Sequence, residues 1–431
     1  MSSEHSPALT GARLVEGLTD AERARLDRVE SILPALRQAA PEADRIGEFH
    51  RPHIATLSAA GLLGLIVPEQ YGGLGGGLRD LAAACYAMGT ACPSTALAYF
   101  FHCSTASRGL LGLKAREAGL YNAEDGETVR RFAEMLLDKM GRRGMWLANF
   151  ASESTKTAKS AITITTTASP AEGGWVLNGT KSFGCATGVA DEYLVTAGLA
   201  GDPTANGLAL FFVPREAAGV IIRATWDSIG MRATANHGIV MENVFVPADQ
   251  ALAIPGAFIT MMKMSRGSFV GNQLAATAIY VGAAQAVYDE ALSYLTKVTF
   301  ADTGRPIAES PFHQQLIGEM TADLENAHLW MRRQLELETS EPPILGKDRV
   351  VQQWRLAKGS ACEYAFAVGV AALKACGTSN TNNAGVIARG LRDLSMGLVQ
   401  AFPAERGRLM VAEAVVKDSM QADFSIVGGK G

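Results

Sequence analysis

The chain has no paired cysteines and no blocks of like charge. Its six cysteines (Cys85, Cys92, Cys103, Cys185, Cys362 and Cys376) form no CxxC pair and share no metal-ligand spacing with the seven histidines. That excludes a disulfide framework or a finger-type metal site and fits the reduced, mostly buried thiols of a cytosolic protein. Charged residues make up only 19% of the 431, the formal net charge is −4, and no Lys/Arg block stands out. A general nucleic-acid-binding surface is therefore not predicted. Long apolar runs are also lacking. Leu81–His102 is broken by Gly89, Thr90, Pro93, Ser94 and Thr95, and Phe269–Tyr288 by Asn272, Gln273, Thr277 and Gln285. Both read as buried helices, not membrane spans, since a bilayer needs a near-continuous apolar segment. The first residues, MSSEHSPALTGARLVEG, hold no basic region followed by an apolar run, so no secretory leader is predicted and a cytoplasmic location is expected.

What is present is a strongly patterned globular chain. Hydrophobic residues make up 48%, and the length leaves room for two or three domains and a large core. Helical periodicity dominates from Asp20 to about Leu137, interrupted by the glycine-rich loop PEQYGGLGGG (68–77). Between Trp146 and Pro247 the pattern changes. GGWVLNGTKSFGCATGVADEYLVTAG (173–198) and WDSIGMRATANHGIVMENVFVP (226–247) alternate β-branched or aromatic residues with polar ones and carry Gly and Asn turns. That is the signature of short strands in a compact sheet. Helix then returns: one long helix over Ser265–Tyr294, a second within Glu309–Leu337, a third from about Asp348 to Ala375, and a last helical region to about Asp418. The stretch CGTSNTNNAG (376–385) is a loop. The expected division is a loose tail over 1–20, a helical domain over 21–145, a β domain over 146–255 and a helical bundle over 256–431.

This order of elements, with LSAAGLLGLIVPEQYGGLG (57–75), WVLNGTKSF (175–183), IGMRATANHGIVMENVFVP (229–247) and LRD (391–393), resembles the acyl-CoA dehydrogenase family over nearly the whole chain. The resemblance implies a mainly α fold: an N-terminal helical domain, a small middle β-barrel or sandwich, and a C-terminal four-helix bundle. It also implies a bound FAD. By the resemblance, Phe183 packs on the flavin and Cys185 stands where a hydroxyl usually approaches the ring. Chemically, Cys185 offers only a weak S–H donor. Ala151 and Ser152, in FASE (150–153), would hold the pyrimidine end. Lys297 and Phe300 (in KVTF), with Gly377 and Thr378, would serve the dinucleotide's far end across a subunit boundary, which implies a homodimer or homotetramer.

The family chemistry removes an α-proton from an acyl thioester, on CoA or a carrier protein, with a carboxylate base while hydride leaves to the flavin. Counting from Arg392 to the usual base position reaches Ala401, and the alternative position beside Arg266 is Ser265. Neither is a carboxylate. Arg266 and Ala401 remain candidates to line the substrate, and Glu405, one helical turn beyond Ala401, is the candidate base. Glu405 reads equally as a helix-start carboxylate, since Pro403 suits a first helical position and acidic groups suit the first turn. A second departure follows Glu153: the family's glycine-rich loop is replaced by Ser154-Thr155-Lys156-Thr157-Ala158-Lys159, whose lysines could attract a phosphate or simply be solvated. Three readings stay open: an FAD-dependent acyl-thioester dehydrogenase with a relocated base, passing electrons to a flavoprotein or O2; a monooxygenase of the same fold that uses reduced flavin and needs no base; and a non-catalytic subunit of a related flavoenzyme.

Overall fold

The computed structural model describes residues 10–155, 162–267, 273–417 and 424–426. Five helices come first: α1 (Asp20–Ile46), α2 (Pro52–Ala59), α3 (Leu78–Gly89), α4 (Pro93–Glu117) and α5 (Ala123–Met140). Their ends follow local chemistry. Thr19 and Glu22 form a reciprocal capping box at the start of α1, and Gly47 ends that helix in the left-handed conformation. The apolar segment 81–102 is two helices meeting at Pro93, which opens α4 where its missing N–H costs nothing. Residues 10–19 are not loose, contrary to expectation. Leu14 and Val15 are buried, and Arg332 donates to the carbonyls of Arg13 and Leu14.

Nine strands follow among the described residues: β1 (Leu147–Phe150), β2 (Ile162–Ile164), β3 (Thr167–Ala171), β4 (Gly174–Lys181), β5 (Glu192–Leu199), β6 (Leu208–Pro214), β7 (Val220–Arg223), β8 (Gly238–Pro247) and β9 (Ala251–Leu252). The main sheet runs β7-β8-β4-β3-β5-β6-β9, with β1 joined to β5. Strands β1 and β3 share one edge of β5, both parallel to it: β1 pairs at residues 192–195 and β3 at 198–199. That arrangement leaves the chain just beyond Phe150 at the sheet's rim, beside the loop after β4. Strand β2 stands apart, paired in parallel with the C-terminal β10 (Phe424–Ile426).

The second helical group holds α6 (Ala257–Met262), α7 (Leu274–Lys297), α8 (Pro311–Thr339), α9 (Lys347–Cys376), α10 (Val386–Gly397) and α11 (Ala404–Lys417). The single helix expected over Ser265–Tyr294 is not formed: Ser265–Gly267 is non-helical and α7 begins at Leu274. The last helical region is two helices, parted by a corner at Leu398–Pro403. Helix α7 joins the two helical groups because glycine permits a close approach. A Cβ on Gly282 would lie 2.1 Å from the carbonyl oxygen of Tyr86, so only glycine lets α3 and α7 cross there. Helix α9 is long and apolar enough to cross a membrane by length and composition, and 56% of its apolar window is buried inside the protein.

Candidate functional site

A cavity of about 450 Å³ opens between the rim of the sheet and the C-terminal helices, a volume typical of small-molecule sites. Its sheet wall is built by four segments: β1 with its extension to Glu153, β5 at Thr196, the loop after β4, and the strap 226–236. Its helical wall is a face of α4 (Leu97, Phe101, Ser104, Arg108), part of α9, and the α10–α11 corner. The α4 residues recur at intervals of four, three and four, which places them on one side of the helix.

The sheet wall is pinned by hydrogen bonds. Gly184 N–H donates to the His237 carbonyl (3.0 Å), Ala186 N–H to that of Thr234 (2.8 Å) and Ser182 N–H to that of Ser152 (2.9 Å). His237 Nδ1 accepts from the Trp226 N–H at 3.0 Å, and Trp226 Nε1 donates to the Met231 carbonyl at 3.1 Å. Trp226 in turn meets Phe183 edge to face at 5.9 Å between ring centroids. Phe183 keeps 48% of its surface exposed, an unusual exposure for a large apolar ring held in place by another. At Gly184 a Cβ would fall 2.3 Å from the Phe150 ring, so the loop passes this closely only as glycine.

Cys185 is buried, and burial pushes its thiol well above the ordinary cysteine range. It is therefore a neutral S–H near neutral pH, a weak donor on the cavity wall. Two further polar atoms on that wall, Asn149 Oδ1 and Thr196 Oγ1, are buried with no partner among the described residues. An apolar ring face flanked by a weak donor and orphaned polar atoms matches a flat heteroaromatic group with hydrogen-bonding edges, as in a flavin ring.

The one carboxylate on the cavity wall among the described residues, Glu153, is already committed. It accepts from Lys181 Nζ (2.6 Å), the N–H groups of Thr165 (2.7 Å) and Thr166 (3.1 Å), and both threonine hydroxyls. Burial raises its pKa, but the Lys181 charge and these hydrogen bonds outweigh that and hold it below the usual carboxylate range.

Of the residues proposed from sequence, the structure gathers Ala151, Ser152, Phe183, Cys185 and Ala401 around this cavity. Glu405 is not brought in. It sits in the first turn of α11, exposed and off the cavity wall. Arg266 is also turned away: it pairs with Glu341 at 2.6 Å and donates to the Ser340 carbonyl, because the corner between α8 and α9 offers a carboxylate and a free carbonyl. Lys297, Phe300, Gly377 and Thr378 are exposed and lie away from the cavity within this chain; Lys297 Nζ donates to Ser293 Oγ at 2.8 Å. Lys156 and Lys159 lie outside the described residues. The LRD pair is a clamp. Arg392 pairs with Asp44 in α1, and Asp393 accepts from the Met231 N–H at 2.6 Å, tying both helical groups to the strap.

Sequence reasoning missed Arg108 and Lys358. Arg108 is a basic residue in an apolar helix, where charge is normally excluded unless paired, and that mismatch was the available signal; Lys358 stands among Arg355, Ser360 and Glu363 and gave none. Lys358 is buried and donates to the carbonyls of Gly397 (2.8 Å) and Phe402, fixing the α10–α11 corner. At that corner Ala401 holds a φ of 63°, which non-glycine residues seldom adopt. A larger cavity of about 580 Å³ lies among α1, α3, α7 and α10 and is lined by none of the residues proposed from sequence.

A helical domain, a curled sheet and a second helical bundle meeting at one cleft define a mainly α fold with a middle β domain. The descriptions of the acyl-CoA dehydrogenase N-terminal, middle and C-terminal domains match residues 19–118, 148–244 and 274–402, and the chain belongs to the acyl-CoA dehydrogenase family. It is 27% identical to the cyclohex-1-ene-1-carbonyl-CoA dehydrogenase of Syntrophus aciditrophicus (strain SB), over 76% of each chain. It is 29% identical to the dibenzothiophene monooxygenase of Rhodococcus qingshengii, over 68% of this chain and 67% of the relative. Among solved structures, KijD3 in complex with FMN and an amino-keto sugar nucleotide superposes with a TM-score of 0.78 at 26% identity, covering 96% of this chain and 98% of that one.

Proposed function

We propose that this protein is a flavin-dependent monooxygenase that binds reduced flavin in the cavity between the sheet rim and the C-terminal helices. The observation that carries the reading is the lack of an available base. Desaturation of an acyl thioester needs a carboxylate free to take the α-proton. Among the described residues the only carboxylate on the wall is Glu153, fully engaged with Lys181 and two threonines, and Ala401 stands at the corner. Oxygenation does not make that demand. The relatives named monooxygenase and the neighbour holding FMN with a sugar nucleotide support the same choice.

In this reading Phe183, Ala151, Ser152 and Cys185 would hold the ring: Phe183 would offer it an apolar face, Ala151 and Ser152 their backbone and hydroxyl, and Cys185 a weak S–H donor. Flavin delivered already reduced by a separate reductase would, when bound, supply the two electrons with which O2 gives one oxygen atom to the substrate and the other to water. The protein's part is to exclude water and hold the substrate near the ring. The Lys358-fixed corner and the hydrogen-bonded strap make both walls stiff for that task. Either FMN or FAD presents the same ring here. If the outer residues Lys297, Phe300, Gly377 and Thr378 meet an adenine end across a dimer boundary, FAD binds more tightly than FMN. The dehydrogenase reading keeps the support of relatives named acyl-CoA dehydrogenase, which match between 76% and 89% of this chain at 25–27% identity.

The test is to titrate purified protein with FMN and FAD, then supply reduced flavin and O2. Substrate-dependent oxygen incorporation from labelled O2, with no anaerobic bleaching by a panel of acyl-CoA thioesters, is the expected outcome. Anaerobic bleaching of tightly bound FAD by a thioester would restore the dehydrogenase reading. Phe183→Ala is expected to weaken flavin binding about three- to tenfold, the worth of one aromatic contact, while leaving the unfolding midpoint unchanged because the ring is half exposed.

A further inference from the structure

Arg108 is a buried cation without a counter-charge. It lies on the cavity face of α4, eleven residues beyond Leu97 and so about 16 Å further along the helix axis. Only 3% of the residue is exposed. Its Nη1 donates to the Ser104 carbonyl at 3.0 Å, a bond local to the helix. Its Nε finds no acceptor, and no carboxylate pairs with it among the described residues. Burial alone pulls its pKa down, to about 10, so it remains protonated. Lys181 shows how this protein normally handles such a group, giving it Glu153 at 2.6 Å. A charge this deep, held at a cost in desolvation and aimed into a cavity, calls for an anion that arrives from outside.

We propose that Arg108 is a specificity residue that binds an anionic group, a carboxylate, on the substrate. This rests on the reading of the same cavity as the oxygenation site. The free Nε edge of a guanidinium presents two parallel donors, the geometry that meets the two oxygens of a carboxylate. The cavity supports the same sign of ligand: its wall carries Arg108 and Arg406, and its one carboxylate among the described residues, Glu153, is neutralised by Lys181. Substrates bearing an acid group are then preferred over their neutral amides or esters, because a neutral analogue leaves the buried charge unmatched.

The experiment measures stabilisation and binding with simple probes, benzoate and glutarate against benzamide and inorganic phosphate, in the wild type, Arg108→Met and Arg108→Lys. The wild type is expected to gain thermal stability from a carboxylate probe and not from benzamide. Arg108→Met should lose at least about tenfold in affinity for that probe, the value of a charge-assisted bond, and Arg108→Lys should retain part of it. Ligand-free Arg108→Met should be no less stable than the wild type, since it removes an unpaired buried charge. Equal carboxylate binding by Arg108→Met, or a lowered ligand-free midpoint in both variants, would overturn the proposal and make the residue structural. Stabilisation by phosphate alone, with FMN binding lost in Arg108→Met, would also overturn it by giving the arginine to the flavin phosphate. A protein that binds no flavin yet shows the Arg108-dependent carboxylate effect would sink the oxygenase reading while leaving this one standing.

Discussion

The two walls of the cavity treat buried charge in opposite ways. On the sheet wall Lys181 and Glu153 neutralise each other, and Thr165 and Thr166 take up the remaining carboxylate oxygens. On the helical wall Arg108 has only a carbonyl from its own helix, whereas Lys358, buried outside the cavity lining, is spent on the carbonyls of the α10–α11 corner. A paired charge fixes the local structure and is closed to further chemistry. An unpaired one is a site for something else to bind. The contrast suggests that the sheet side is built to hold a constant partner, the flavin ring, and the helical side to select a variable one.

The comparison is broken most severely by removing the acid from the sheet wall. Glu153→Gln strands Lys181 without its counter-ion, and that class of change costs about 3–5 kcal/mol; chemical denaturation of the variant measures it. Glu153→Gln with Lys181→Met together should recover much of the loss, because no buried charge is left. The same pair has a pH signature. A carboxyl held below its unfolded value stabilises the protein above that value, near 4.5, and the contribution is lost as pH falls through the lower folded value. Wild-type stability should therefore drop steeply below about pH 4.5 and the double variant less so. A wild type that is flat across this range would show that the pair holds nothing together.

A second, smaller effect sharpens the contrast from the clamp that joins the walls. Burial lifts Asp393 to a pKa of about 7, despite the Met231 N–H that it accepts and the nearby Arg389 and Arg392. A carboxyl raised in this way stabilises the fold while protonated, fully so below its unfolded value near 3.8, and loses that contribution as pH rises towards 7. Asp393→Asn keeps an oxygen for the Met231 N–H and cannot ionise. It should match the wild type near pH 4 and exceed it at pH 8, by on the order of 2–4 kcal/mol. Thermal unfolding across pH 4–8 provides the measurement, and parallel profiles for the two proteins would refute the assignment.

Much of this architecture was legible in the sequence, because period-two alternation between two stretches of helical period is hard to mistake. Phe183, Cys185, Ala151 and Ser152 could be singled out only through the resemblance of KSFGC and FASE to the family, and the structure sets all four on one cavity. What could not be read depended on tertiary partners. Arg266 looked available to a substrate until Glu341, 75 positions later, took it. The segment at Ser265 carried helical period but lies in the non-helical stretch before α7. Residues 10–19 looked like a tail because burial of Leu14 and Val15 depends on Arg332, more than three hundred residues away. Arg108 was passed over although a cation in an apolar helix was a signal, because only the cavity shows which way that charge is turned.

The smallest predicted effect concerns the corner where a base is missing. Ala401 pays for a left-handed backbone, a cost of about 1 kcal/mol that glycine largely escapes. If the corner were merely a relaxed loop, Lys358 would not need to hold the carbonyls on both sides of it. Ala401→Gly should therefore stabilise the fold by up to about 1 kcal/mol less the entropy that glycine regains on unfolding, leaving a net gain near a few tenths. The more telling readout is turnover. Because the corner forms part of the helical wall, its freer backbone should raise the KM for a carboxylate substrate while leaving flavin affinity, which the proposed function assigns to the sheet wall, where it was. A variant that loses flavin and substrate affinity together would show that the two walls are not separate functions, and the division of labour drawn from Lys181 and Arg108 would fall with it.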